Sequence, residues 1–235
     1  MVSGHFNILT VCTMNICRSP AMELRLRTAA DQKCGQGSES LVQIHSAGTD
    51  AIAGTAGCEL SLAYAGSAEP DFESRVLTAE LLDDVDLVLI ATWQHSAKIV
   101  PLQPQIRSRC FPLRLAARLA THVVASQALP IAVAKASGEQ IDSETAGQLA
   151  MVAALPGDAA GRLRWLVSEM NEARGIAPRP PEDNLPYGID DIPDPHVLGY
   201  NLHELSATMI AESTQSLVSA AEVVVNCPQG DTTRT

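Results

Sequence analysis

The apolar run Phe6-Asn7-Ile8-Leu9-Thr10-Val11 passes directly into the stretch Cys12-Thr13-Met14-Asn15-Ile16-Cys17-Arg18-Ser19-Pro20, and from there into a helix-forming segment. A run that is apolar at nearly every position, rather than alternating, is the pattern of a strand buried on both faces, as in parallel sheets. Ser19-Pro20 supplies a helix start, with Ser19 expected at the N-cap, Pro20 in the first turn and the helix running to about Ala30. A buried strand that leads through a short loop into a helix opens a βαβ unit, so the chain is expected to be α/β.

The alternation continues. Residues 41–45 read as a second strand closed by Ser46-Ala47-Gly48-Thr49, residues 85–91 as a third, and 106–111 as a fourth, with helices expected at 56–65, 78–84 and 93–102. Beyond Phe111 only helical patterns appear, at 113–125, 143–155 and 158–173, followed by a proline-rich loop at 175–188, a long helix at 199–225 and a polar tail. The expectation is a four-stranded parallel sheet flanked by helices. It forms a single domain over residues 1–226, with a helical insertion at 113–185 and a flexible tail at 227–235.

Charge narrows the partners. Sixteen Lys and Arg against 27 Asp and Glu leave a net charge of −11, which repels a phosphate backbone and argues against nucleic acid as a partner. No segment approaches the roughly 18 consecutive apolar residues of a membrane span. The N-terminal Met1-Val2-Ser3-Gly4-His5 lacks the basic region of a secretory signal, and six cysteines in 235 residues form no disulfide framework. A cytoplasmic protein with reduced thiols is expected, and nothing in the sequence indicates an oligomeric state.

The chemistry concentrates in the first loop. On this chain's composition, Cys followed six places on by Arg-Ser, with Asn third after the Cys, arises by chance less than about once in a thousand such chains. A loop between a strand and a helix points successive backbone N–H groups inward beside a helix N-terminus, which makes an anion site. Arg18 can hold two phosphoryl oxygens at once, and Asn15 tolerates the left-handed backbone that closes such a loop. That field favours the thiolate of Cys12, a nucleophile at the base of a phosphate cradle.

These residues resemble the signature of the low-molecular-weight protein tyrosine phosphatases. The resemblance extends over residues 5–111 and 186–225, through Ser46-Ala47-Gly48-Thr49, Asp86-Leu87-Val88-Leu89 and the late dipeptide Asp194-Pro195. It implies catalytic roles for three residues: Cys12 as the nucleophile that forms a cysteinyl-phosphate, Arg18 as the phosphoryl binder, and Asp194 as the general acid. It also implies a substrate-binding loop of Thr13, Met14, Asn15, Ile16, Cys17 and Ser19, with His196 lining the pocket and Ser19 supporting the thiolate. The implied substrate is a phosphorylated protein or a small phosphomonoester of the phosphotyrosine type, with no cofactor and no metal. The family usually has Gly at the position of Met14, an aromatic at that of His196, and often another near Ile52. The phenyl-ring walls would then come from Tyr64, Trp93 or Tyr187, or the substrate is a different phosphoester.

The remaining groups read blandly. Cys34, Cys58, Cys110 and Cys227 are expected to be small packing thiols, and His45, His95, His122 and His203 show no ligand spacing. Cys12 and Cys17 have no second pair at zinc-site spacing. Asp190 and Asp191 are the runner-up acids. Two rival functions share the fold: arsenate reduction with an external thiol, and a non-catalytic module that binds phosphate or a phosphopeptide.

Overall fold

The computed structural model describes residues 4–34, 41–66, 71–138, 152–181, 187–198 and 202–227. Four parallel strands form one sheet in the order β2-β1-β3-β4: β1 (Phe6–Cys12), β2 (Val42–Gly48), β3 (Leu87–Ile90) and β4 (Cys110–Pro112). The helices are α1 (Arg18–Cys34), α2 (Glu59–Tyr64), α3 (Trp93–Ile99), α4 (Leu113–Ala125), α5 (Ala128–Ser137), α6 (Ala159–Glu172), α7 (Pro195–Leu198) and α8 (Leu202–Val225). From β1 the chain winds first to β2 on one side and then to β3 on the other. The strand order therefore reverses at the carboxyl end of β1, where open α/β sheets bind ligands.

Period-two geometry divides the core between the two faces of the sheet. Phe6, Ile8, Leu87 and Leu89 pack with α1, α4, α6 and α8, and Leu9, Val11, Val88 and Ile90 pack with Ile99 of α3 and Ile106. Both faces are covered, which is why β1 and β3 lack alternation in the sequence.

Several boundaries differ from expectation. α1 begins at Arg18, so Ser19 lies inside the first turn instead of capping it. β2 continues through Ser46-Ala47-Gly48, because this stretch stays in register with Thr10-Val11-Cys12 of β1. The third strand is shorter than expected, at Leu87–Ile90. Most of the expected fourth strand is a 3-10 turn, Pro104–Arg109, which Pro104 starts and which turns Ile106 fully into the core; only Cys110–Pro112 pairs with β3. The helices expected at 56–65, 78–84 and 93–102 shrink to α2, a 3-10 turn at Glu80–Leu82, and α3. α5 is additional to the expected helices, and its Pro130 sits in the first turn, where its missing N–H has no cost. The helix expected at 143–155 falls mostly outside the described residues, and 152–155 is not helical. The long C-terminal helix is α8, preceded by the separate short α7, and most of the tail lies outside the described residues.

The segment after β4 is helical where described, and it is fastened to the sheet by arginines. Arg164 of α6 pairs with Asp86 at the foot of β3 (Nε–Oδ1 2.7 Å) and donates to the carbonyl of His5. Arg174 lies 3.8 Å over the ring of Phe111 and donates to the carbonyl of Cys110. α4 and α5, bent by 56° at their break, have together the composition of a span, but their apolar residues lie in the core; no single described helix is long and apolar enough to cross a membrane.

Arg162 closes the far end of α8. Its guanidinium is 5% exposed and donates to the carbonyls of Pro156, Val225 and Cys227 at 2.8, 2.7 and 2.6 Å. Helix C-termini leave carbonyls without intrahelical donors, and this side chain from α6 supplies them. Arg162→Met keeps the volume and removes the donors, so it is expected to cost about 2–3 kcal/mol. For a chain of this size that corresponds to a midpoint about 5–10 °C lower in thermal unfolding.

Candidate active site

β1 carries Cys12 to the carboxyl edge of the sheet, where its side chain is 2% exposed. The loop 13–17 then wraps back to the first turn of α1. Asn15 holds the turn with φ +55°, the one non-glycine positive φ among the described residues. Its side chain ties both flanks: Nδ2 donates to Ser19 Oγ at 2.9 Å, and Oδ1 accepts from the Arg75 backbone N–H at 2.7 Å. Ser19 Oγ stands 3.0 Å from Cys12 Sγ. Because Asn15 donates to this hydroxyl, the hydroxyl's own proton is available for the sulfur, with the Ala47 carbonyl a second acceptor at 3.3 Å.

The loop is clamped against the end of β2. Thr49 N–H donates to the Cys12 carbonyl at 3.0 Å and Asp50 N–H to the Thr13 carbonyl at 2.8 Å. This closeness demands glycine at position 48. A Cβ there would lie 2.6 Å from the Thr13 carbonyl oxygen and 2.7 Å from the Asn15 nitrogen, both backbone atoms that cannot swing away. Gly48→Ala is therefore expected to cost about 1–3 kcal/mol. It should also weaken inorganic phosphate binding, measured by calorimetry, more than a stability loss alone would.

Arg18 is 5% exposed, and its guanidinium makes an ion pair with Asp194 and donates to the Ile192 carbonyl at 3.3 Å. The structure thus joins residues 176 positions apart. Asp194 also accepts from the His196 N–H at 3.0 Å, at the start of α7. The two runner-up acids are engaged elsewhere: Asp190 pairs with Arg118 at 2.8 Å, and Asp191 accepts from the Trp93 N–H at 2.9 Å.

Cys17 and His196 were both expected to line the pocket. Cys17 and His196 touch each other, Sγ to Nε2 2.9 Å. Trp93 and Ile52 are exposed: Trp93 beside the Asp191 contact, Ile52 on the turn after β2. Gly48 and His95 were not singled out as site residues. Only close approach explains Gly48, and only tertiary placement brings His95 to the loop. A cavity of about 330 Å³ between α1, α6 and α8 is lined by Phe6, Leu41 and Leu87 at the starts of strands, at the opposite end of the sheet from Cys12.

His95 braces the loop from α3. Its Nδ1 lies 3.2 Å from the Thr92 nitrogen and 3.1 Å from the Thr92 carbonyl oxygen, and its Nε2 lies 3.2 Å from Thr13 Oγ1. Burial, followed by the nearby charge of Arg18, pushes the imidazole down to about 4. The unfolded ring protonates near its ordinary 6.5, so below that pH the unfolded chain binds more protons than the folded one. Stability from His95 is complete above pH 6.5 and is lost as the pH falls through about 4. His95→Gln keeps an amide donor and removes the titration, so its melting temperature should fall less between pH 6.5 and 4 than that of the wild type.

A cysteine at the carboxyl end of a central parallel strand, in a loop that closes on a helix N-terminus beside a buried arginine, defines an α/β protein with a thiol inside an anion cradle. The family model described as low molecular weight phosphotyrosine protein phosphatase matches residues 7–117. The low molecular weight protein-tyrosine-phosphatase Etp of Escherichia coli K12 is 36% identical over 112 residues, which cover 46% of this chain and 70% of Etp. The probable phosphatase AmsI of Erwinia amylovora is 31% identical over 106 residues, 44% of this chain and 67% of AmsI. In structure, a YwlE mutant from Bacillus subtilis aligns with a TM-score of 0.52 at 19% identity, over 91% of this chain and 97% of that one. This chain belongs to the low-molecular-weight protein-tyrosine-phosphatase family. The family-model match ends at residue 117, within α4, so Asp194 lies beyond it.

Proposed function

We propose that this protein is a phosphatase that hydrolyses phosphotyrosine-type phosphomonoesters through a cysteinyl-phosphate intermediate. The observation that carries the reading is the assembly of Cys12, Ser19, Arg18 and Asp194 around one loop, with the acid brought from the far end of the chain. In the first step Cys12 Sγ attacks phosphorus and the ester P–O bond breaks, while Asp194 gives its proton to the leaving oxygen. In the second, water attacks phosphorus, Asp194 takes a proton from that water, and the P–S bond breaks to return the thiolate and free phosphate. Loop N–H groups and Arg18 hold the equatorial oxygens throughout, where phosphoryl transfer gathers charge. Ser19 donates to the sulfur as it leaves phosphorus. The relatives named above are themselves described as tyrosine phosphatases, which supports this substrate class. Exposed Trp93 and Ile52 are candidates to flank a phenyl ring. On this reading residues 1–226 act as one catalytic domain, with 113–185 inserted in it.

The Arg18–Asp194 pair has a consequence for kinetics. A substrate phosphoryl group must displace the Asp194 carboxylate from the guanidinium before it can use it. Asp194→Asn is expected to lower turnover by about 10²-fold or more, most for alkyl leaving groups that need the proton. It should at the same time tighten inhibition by inorganic phosphate, because the competing carboxylate charge is gone. Cys12→Ser should abolish aryl phosphate hydrolysis while retaining phosphate binding. An active serine variant would refute the covalent route, and equal losses for nitrophenyl and alkyl phosphates would move the acid to another residue.

A further inference from the structure

Four soft donors from four separate segments converge behind the phosphate loop. Cys17 ends the loop, Cys58 precedes α2, His196 lies on α7 and His203 on α8. The donor atoms of Cys17, Cys58 and His196 all lie within 4.8 Å of one another. His203 Nε2 stands 3.5 Å from Cys58 Sγ on the remaining side, and its ring meets that of His196 edge-on at 5.1 Å. Sequence spacing gave no hint of this group, since Cys17 and Cys58 are far apart and only His196 and His203 are neighbours in the chain. We propose that Cys17, Cys58 and His196 form a zinc centre, with His203 moving in from beside Cys58 as the fourth ligand, and that it clamps the Asp194 loop onto the phosphate loop.

The chemistry of the donor set selects the ion. Two thiolates and two imidazoles suit tetrahedral Zn²⁺, and carboxylate-seeking ions such as Mg²⁺ and Ca²⁺ are excluded. With Zn–S near 2.3 Å and Zn–N near 2.0–2.1 Å, the edges of such a tetrahedron are roughly 3.3–3.8 Å. The 2.9 Å Cys17–His196 contact must open by under about 1 Å, and His203, already 3.5 Å from Cys58, must turn inward to complete the set. Access is also suitable. Cys17 and His203 are buried, Cys58 is partly exposed and His196 is exposed, so an ion can enter from the His196 side into a closed interior.

The centre is coupled to the machinery through the backbone. Cys17 precedes Arg18, the Cys58 N–H donates to the Ile16 carbonyl at 2.6 Å, and the His196 N–H donates to Asp194. An ion that ties His196 to Cys17 holds Asp194 on Arg18, the arrangement that substrate must open.

The test separates metal binding from turnover. Cobalt(II), then zinc, is titrated into the Cys12→Ser protein, which removes the catalytic thiol as a ligand, and into the same protein with Cys58→Ala or His203→Gln. The expected result is one equivalent of cobalt with a thiolate-to-metal charge-transfer band, displaced by zinc, with affinity about 100-fold lower in each double variant. Metal-free thermal unfolding of the double variants shows whether they fold; if His203→Gln does not, the exposed His196→Ala replaces it. A missing charge-transfer band, an unchanged affinity on loss of Cys58, or wild-type binding that vanishes with Cys12→Ser each overturns the proposal. In the protein with Cys12 intact, zinc should slow aryl phosphate hydrolysis reversibly with EDTA, and Cys58→Ala should relieve that effect by about tenfold or more in zinc concentration. Equal inhibition of both proteins overturns the clamp.

Discussion

A buried guanidinium organises this molecule. Arg18 is 5% exposed at the mouth of the phosphate loop, and a charge in that position needs an anion or a set of carbonyls around it. Asp194 and the Ile192 carbonyl supply both, from a segment that the chain reaches only after all four strands and most of its helices. The requirement explains why the chain must return to the carboxyl edge of the sheet. It also explains why Ile192 is fully buried beside it: its N–H donates to the Ala91 carbonyl just past β3, so the acid loop is held to the sheet as well as to Arg18. Removal of Asp194 leaves the buried guanidinium of Arg18 with only the Ile192 carbonyl, so the loop and the acid segment depend on each other.

The local part of this design is legible in the sequence. Phe6–Val11, Asn15 and the Arg18-Ser19-Pro20 helix start carry their geometry in residue type alone, because strand burial, left-handed backbone and helix entry are short-range preferences. Even here Ser19 took a different place. It does not cap α1; it enters the first turn, where Oγ meets Cys12 and Asn15. The sheet as a whole was readable because both of its faces are covered, and continuous apolar runs mark such strands. The fourth strand was not, since Ile106 is equally apolar in a 3-10 turn or a strand, and Pro104 decides between them.

What sequence spacing could not show is assembly across the chain. Gly48 lies in a segment that carries the family resemblance, but its role appears only where the Thr13 carbonyl passes 2.6 Å from the Cβ it lacks. His95 reads as an ordinary helix residue until α3 places its ring on Thr13. Cys58 and His203 read as packing residues, and they are brought to Cys17 and His196 by α2 and α8 docking against the same end of α1. In each case the signal is a distance between segments, and no periodicity or motif along one segment encodes it.

The charge balance adds a last constraint. With 16 cationic side chains against 27 anionic ones, the chain uses several arginines internally. Arg162 closes α8, Arg164 and Arg174 hold the segment after β4 to the sheet, and Arg118 neutralises Asp190. The charges of Arg164 and Arg118 are balanced by the carboxylates of Asp86 and Asp190. The surface field therefore opposes the approach of polyanions, and attraction for a phosphoryl group is confined to the few ångströms around the loop N–H groups and Arg18. A single compact phosphoryl group that inserts into the cradle experiences that local field; an extended chain of phosphates meets the repulsion of everything around it. On the proposed function, the acidic composition and the buried arginine together would favour a single phosphomonoester over a polyanion.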